Sequence, residues 1–512
     1  MLPASIATAL KLPLPVTVTS GVLAAIVSRS KGESLMPSKL AHHRLSAAFI
    51  FLVLTAAALP AQQATAAAAQ SETVLYKKVR QDEDWSYLRN DAGRNPDYFD
   101  KVKYIPLRNE DGWYVSLGGD VRERYELLDH PLWGQGPTDT NGYLMQRYLL
   151  HAGIHLGPRV RVFSQFQSGL INGRNGGPRP TDEDKAELHQ AFVDLSTGGK
   201  KLPLLSFRLG RQELSLGTSR LVSIREEPNV RQSFDGLRAT LNLRQWRIDG
   251  FVTKPVETNP GVFDDSPDHT RTFWGLYAVR PWRVLPGGHV DLYYLGIDRK
   301  NARFDQGAAR EIRHSVGTRL WGGRKAWDYN YELVYQWGSF GNAGIRAWTV
   351  ASDDGFTLSH VRFRPRLSLK ADVTSGDRGR TNPSLQTFNA LFPKGAYFGE
   401  IALIGPANHM DLQPSVDFRL TKRWTLSPQA GFLWRQSIHD GIYGPAINLL
   451  RSAGSSTSRF IGSQLAAQAE WEISRHVSWA GNYTHFFAGQ FLQDTGPAKD
   501  VNFFTTWIYY HF

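Results

Sequence analysis

The sequence predicts an all-β fold, a transmembrane antiparallel β-barrel of about eighteen strands with short periplasmic turns and long extracellular loops. Three observations predict it. The last twelve residues form a strand that ends on an aromatic. Many earlier segments set an apolar face against a charged one. The connections between those segments alternate between short and long. A mean hydropathy of −0.35 is too polar for a bundle of membrane helices. A barrel hides its apolar residues in alternation, so the same value is compatible with one.

Taken in order, the chain begins with a leader. Residues 37–69 carry a positive start at Lys39 and Arg44, an apolar run over 45–59, and a tail of small residues. This is the pattern of a secretory signal peptide, with cleavage after Ala61 or after Ala69. The apolar run is shorter than the ~20 residues of a membrane helix. Met36 stands where such a peptide would start. Residues 1–35 are therefore either a mis-assigned start or an extension of the leader. Residues 1–69 are set aside from the fold, and the rest is exported. Residues 70–112 are polar and irregular. They read as a periplasmic N-terminal segment that either tucks into the barrel mouth or trails free. The barrel occupies residues 113–512.

Alternation begins at once. Over residues 113–127, Trp113, Val115, Leu117, Val121 and Tyr125 share one face, while Asp120, Arg122, Arg124 and Glu126 share the other. Such a strand is greasy toward lipid and polar toward water inside. One instance would also suit a soluble sheet, so repetition carries the inference. Residues 143–156 set Tyr148, Leu150 and Ile154 against Arg147, His151 and His155. Residues 160–170 set Val162 and Phe166 against Arg161 and Gln165. Residues 327–338 set Trp327, Tyr329, Tyr331, Leu333, Tyr335 and Trp337 against Asp328, Asn330, Glu332 and Gln336. Residues 366–374 set Leu367, Leu369 and Val373 against Lys370 and Asp372. Residues 464–473 set Leu465 and Trp471 against Gln464, Gln468 and Glu470.

The connections follow a rhythm. Residues 157–158 and 421–423 make tight turns, whereas 172–185, 218–233, 255–270, 375–393 and 437–458 are long and rich in Gly, Pro and Asp. Short turns on one rim and long loops on the other are how bacterial barrels are built. At the end of the chain, Phe504, Ile508, Tyr510 and Phe512 share the lipid face, and Trp507, Tyr509 and His511 point inward. Tyr510 and Phe512 are the expected closing residues, because the last strand must pair with the first.

Composition narrows the chemistry. The 512 residues include no cysteine, which removes disulfides, thiolate catalysis and Cys-ligated metals. The 15 Trp and 19 Tyr suit aromatic girdles at membrane interfaces. The formal charge is +12, of which the leader supplies +4. The basic residues are spread along strands rather than clustered, which argues for a basic lumen and against nucleic acid. By parity the lumen receives Arg122, Arg124, Arg147, Arg161, Arg208, Arg319, Lys370 and Arg435, braced by Asp120, Glu126, Asp328, Glu332 and Asp372. Arg211 falls on the opposite face from Arg208. Either it lies near the outer rim, or a bulge at Gly210 turns it inward; the bulge is preferred, since Arg facing lipid at midplane costs roughly 2–4 kcal/mol. A ladder of guanidinium groups can hand an anionic polymer from one site to the next.

The runs FRLGRQEL, SRL and SFDGLR (within 205–241) resemble those of the alginate-export family. So do GGDVRERYE (118–126), QAFVDL (190–195), GTRLWG (317–322), YNYELVYQWG (329–338), TSGD (374–377) and TFNALFP (387–393), in that order along the chain. The resemblance covers about residues 103–512. It implies a single-chain barrel with an Arg-rich lumen that passes polyuronate outward, with Arg122, Arg124, Arg208, Arg211 and Arg319 along the route. It points to the broad family more than to the dedicated alginate exporter.

Other chemistry finds little support. His151 and His155 lie about 13 Å apart on one strand face, too far for one ion, so no metal is expected. There is no GxSxG elbow, and NGRNGG (172–177) lacks the strand–loop–helix frame of a phosphate loop. The leading reading is an outer-membrane channel for an anionic polysaccharide, with no cofactor and no enzymatic role. The rival is a general uptake porin for small anionic or neutral solutes, and a barrel-embedded hydrolase is the enzymatic alternative. Expected partners are the anionic solute, outer-membrane lipid, the barrel-assembly machinery and, for a polymer, a periplasmic delivery protein.

Overall fold

The computed structural model describes residues 76–90, 97–108, 112–197, 203–285, 287–379 and 383–512. The expected leader lies outside the described residues. The wall is an 18-strand barrel. Its first half comprises β1 (Trp113–Leu128), β2 (Tyr143–Leu156), β3 (Val160–Asn172), β4 (Asp184–Thr197), β5 (Leu205–Gln212), β6 (Phe234–Leu243), β7 (Trp246–Glu257), β8 (Arg271–Pro281) and β9 (His289–Phe304). The second half comprises β10 (Gly307–Arg324), β11 (Trp327–Phe340), β12 (Ala343–Thr357), β13 (Arg366–Thr374), β14 (His409–Arg419), β15 (Trp424–Trp434), β16 (Phe460–Glu472), β17 (Val477–Ala488) and β18 (Val501–His511).

Each strand pairs antiparallel with the next, and β18 returns to β1. The seam sets Val121 opposite Tyr510 and Asp120 opposite His511. Beyond it, Gly119 and Phe512 exchange both backbone hydrogen bonds, at 2.9 and 3.0 Å. Closure leaves no free edge, as hydrocarbon requires. The alternation read from the sequence sets the faces. Leu209, Val252, Leu333 and Leu465 stand exposed on the outside, while Arg122, Arg147, Gln165 and Gln336 are buried within. Trp424 and Trp471 stack at 5.0 Å near the short-turn rim, where an aromatic belt belongs.

Two long loops fold inward, a feature the alternation does not predict. Residues 213–233 follow β5, and the described residues of 375–408 (375–379 and 383–408) follow β13. They zip together by backbone: Ser223 N–H donates to Phe392 O at 2.9 Å, and Phe392 N–H to Leu221 O at 2.9 Å. Both carry apolar residues that must be covered. Leu214, Val222, Phe388 and Phe392 pack on Phe234 and Phe273 of the wall. Part of the barrel interior is therefore a packed apolar core, each large side chain contributing about 1.5–3 kcal/mol. The inside is not polar throughout, as the strand parity alone suggests.

The N-terminal segment tucks into the short-turn mouth. Arg80 Nη1 donates to Asp120 Oδ1 at 2.5 Å and its Nη2 to the carbonyl of Phe512 at 3.0 Å. Lys103 lies over the Tyr76 and Trp85 rings, at 5.3 and 5.1 Å.

Candidate functional site

The inner surface of β1 and β2 is clamped to the first inward loop. Arg122 Nη1 donates to Glu226 O at 2.9 Å and Nη2 to Pro228 O at 3.0 Å. Arg147 Nη1 donates to the same two carbonyls, at 3.0 and 3.1 Å. The Glu226 carboxylate pairs with Arg147 and Arg231 and accepts from Tyr509. Asn229 Nδ2 reaches the carbonyls of Gln146, Leu170 and Asp182 at 2.9–3.1 Å. Guanidinium suits this task because its five donors can serve several carbonyls at once and it stays charged when buried.

The other predicted lumen groups have equally specific partners. Arg124 Nε pairs with Glu126 at 2.6 Å and its Nη2 with Glu400 at 3.1 Å. Arg161 Nη1 donates to Gln81 O at 2.7 Å. Arg208 grips Asp194 with two bonds, at 2.7 and 3.0 Å. Arg319 pairs with Asp291 at 2.9 Å. Arg435 is fully buried and donates to the carbonyls of Ile438, Asp440 and Ser456, holding the loop after β15. Among the acids, Asp372 and Glu332 receive Arg220 of the first inward loop, at 2.7 and 3.5 Å. Asp120 receives Arg80 and His511. Asp328 lies near the short-turn rim, paired with Arg366 at 2.6 Å.

Arg211 does not join them. The β5 pairings to β4 and β6 run without a register shift, so no bulge turns it inward. It shares the outer face of Phe207 and Leu209 near the long-loop end of β5, where its Nε and Nη2 grip Asp235 at 3.0 and 3.2 Å. Gly210 has a different purpose. Its φ is +130°, it sits opposite Gly236, and a Cβ there would stand 2.2 Å from the carbonyl of Ala191. Two facing glycines let β4, β5, β6 and β7 approach closely.

Open spaces remain among the described residues, and three of them bear on function. One of about 830 Å³ lies at the short-turn mouth, lined by Arg159, Arg161, Arg208, Arg238, Arg247, Asp194 and the N-terminal segment. A second of about 570 Å³ lies toward the long loops, lined by Arg124, Arg174, Arg179, Arg225 and Glu400 among others. The third, about 270 Å³, is the most distinctive. On one side stand Lys370 of β13 and Lys394, Tyr397 and Glu400 of the second inward loop; on the other, β14–β17 present Gln413, Ser427, Gln429, Gln468 and Asn482. Glu400 borders both the second and third spaces, so they adjoin. Lys370 Nζ donates to Tyr397 O at 2.6 Å, which leaves two of its three donors for a guest. Cations on one side and neutral amides on the other can bind a carboxylate and hydroxyl groups together. Of these residues, only Lys370 is a predicted site residue. The uncharged wall gives a weaker sequence signal than arginine, and Lys394 lies in a loop whose inward course no periodicity reveals.

Comparison with known proteins agrees with the architecture. The family model described as "Alginate export" matches residues 113–505. A BenF-like porin from Pseudomonas fluorescens Pf-5 is 10% identical, covering 78% of this chain and 98% of its own, with a TM-score of 0.53. Pseudomonas aeruginosa OpdO is 11% identical, covering 78% and 97%, with a TM-score of 0.53. Pseudomonas aeruginosa OccD3 (OpdP) is 13% identical, covering 82% and 98%, with a TM-score of 0.51. At these identities the likeness is one of fold. No curated protein matches the chain.

Proposed function

Since the chain belongs to the alginate-export family, a bacterial outer-membrane barrel, we propose that it passes an anionic polysaccharide, a polyuronate such as alginate, through its lumen. The observation that carries the reading is the third space, with Lys370 and Lys394 facing Gln413, Gln429, Gln468 and Asn482. A uronate residue carries one carboxylate and several hydroxyls. The lysines match the first and the amides the second. Arginines lining the first and second spaces raise the local concentration of anions. Movement is passive and needs no cofactor and no catalytic residue. The barrel-assembly machinery inserts the chain, and a periplasmic protein delivers the polymer.

A second reading is uptake of small anionic or neutral solutes. It is favoured by the two inward loops, which leave a space of about 270 Å³, below the ~300–1,000 Å³ of most ligand pockets. Single-channel recording in planar bilayers tests both. Export predicts anion preference and block by oligouronates from the periplasmic side. Cation preference, or conductance indifferent to oligouronates, would overturn it. Rapid liposome swelling in small sugars without oligouronate block would favour the second reading.

A further inference from the structure

The long-loop rim holds a group of carboxylates that the transport reading does not use. We propose that Glu187, Asp264 and Asp265, with Asp184 behind them, form a site for a divalent cation of the calcium type.

Local structure brings them together. β4 carries one extra residue opposite β3: Gln167 pairs with Glu187 and Gly169 with Asp184, so three steps on β4 face two on β3. Glu187 and Asp184 would otherwise point to opposite faces; the extra residue puts both on the inner one. Between them, Ala186 bridges to Val262, and Phe263 N–H donates to Ala186 O at 2.9 Å. That bridge lays the loop after β7 across the start of β4 and delivers Asp264 and Asp265. One carboxylate oxygen from each of Glu187, Asp264 and Asp265 lies within 4.8 Å of the others. Oxygens bound to one Ca²⁺ at about 2.4 Å lie at most ~5 Å apart.

The second observation is Asp184. It is 1% exposed, and its Oδ1 has no hydrogen-bond partner among the described residues. Its Oδ2 accepts only from Gln167 Nε2, at 3.2 Å. A buried carboxylate oxygen without a donor is costly unless a cation completes it. The nearest fixed cation does not. Arg211 Nη1 stands 3.6 Å from Glu187, but its Nε and Nη2 are committed to Asp235. With oxygen ligands alone, the site suits a hard ion rather than a transition metal.

The test uses the full chain in detergent micelles, stripped with EDTA and titrated calorimetrically with CaCl₂. The expected result is one Ca²⁺ per chain, with Kd at or below the ~10⁻³ M of extracellular sites. Asp264→Asn with Asp265→Asn should weaken binding at least about tenfold, and Asp184→Asn alone should weaken it by less, because it removes a buried charge behind the ligands rather than a ligand. Asp328→Asn, on the opposite rim, should bind like the parent. Heat-modifiable migration on gels shows that each variant is a closed barrel. A parent chain that takes up no Ca²⁺ at about 10 mM, or a double variant that binds as the parent does, would overturn the site.

Discussion

Two stretches of the inner surface use polar residues to opposite ends. On β1 and β2, the buried arginines Arg122 and Arg147 spend their donors on loop carbonyls and on Glu226. On β14–β17, neutral Gln413, Gln429, Gln468 and Asn482 border open space opposite Lys370 and Lys394. The arginine wall is bound to loop backbone, whereas the amides of the other wall bond to one another and to Asp411 and Glu470 while still bordering open space. Arginine density alone therefore does not mark a transport route; polar groups that border open space do.

The largest test removes a clamp. Arg147→Ala removes one of the two guanidinium partners of Glu226 and one of the two arginines holding the Glu226 and Pro228 carbonyls, which should cost about 1–3 kcal/mol. A lower thermal midpoint with larger, noisier conductance is the expected outcome; unchanged values would erase the contrast between the walls. Next is charge in the open space. Lys370→Gln with Lys394→Gln should reduce anion preference several-fold in reversal-potential measurements, while the midpoint stays close to the parent's. A smaller change is expected from Gln413→Leu or Gln468→Leu. Each removes hydrogen bonds worth about 1 kcal/mol, so oligouronate block should weaken about fivefold with little change in ion selectivity.

The smallest effect belongs to the N-terminal segment, which seats on the clamped wall. Burial, reinforced by the neighbouring charge of Arg80, lowers the Lys103 ammonium to about 7. An undocked lysine keeps its proton up to about 10.5, so between pH 7 and 10.5 the undocked state binds more protons. Docking should thus tighten as pH rises from 7 to 9, measured as slower proteolysis of residues 76–103. Lys103→Met should flatten that dependence.

The barrel was legible because lipid imposes period two on every wall strand, and the final strand from Val501 showed both its faces. Local spacing could not show the inward loops. Phe392 meets Val222 across 170 residues, and the apolar runs LSL and NALF read equally well as exposed loop. Arg211 shows the same limit. Its partner Asp235 is a residue of the neighbouring strand, and that pairing makes an outward arginine tolerable near the rim without a bulge. The carboxylate group at the long-loop rim was hidden for a related reason: Glu187 and Asp265 are 78 residues apart, and neither belongs to a metal motif.

The grip of Arg80 on the last carbonyl has a kinetic meaning. Its acceptor is Phe512, 432 residues away, and that carbonyl is fixed only once Phe512 has paired with Gly119. The clasp can therefore form only after insertion is complete, although Arg80 is made long before Phe512. Loop-closure entropy grows only logarithmically with length, so the long wait adds little to its thermodynamic cost. Protection of the N-terminal segment is then a timestamp: a protease pulse during assembly should find it cleavable until the moment the cylinder shuts.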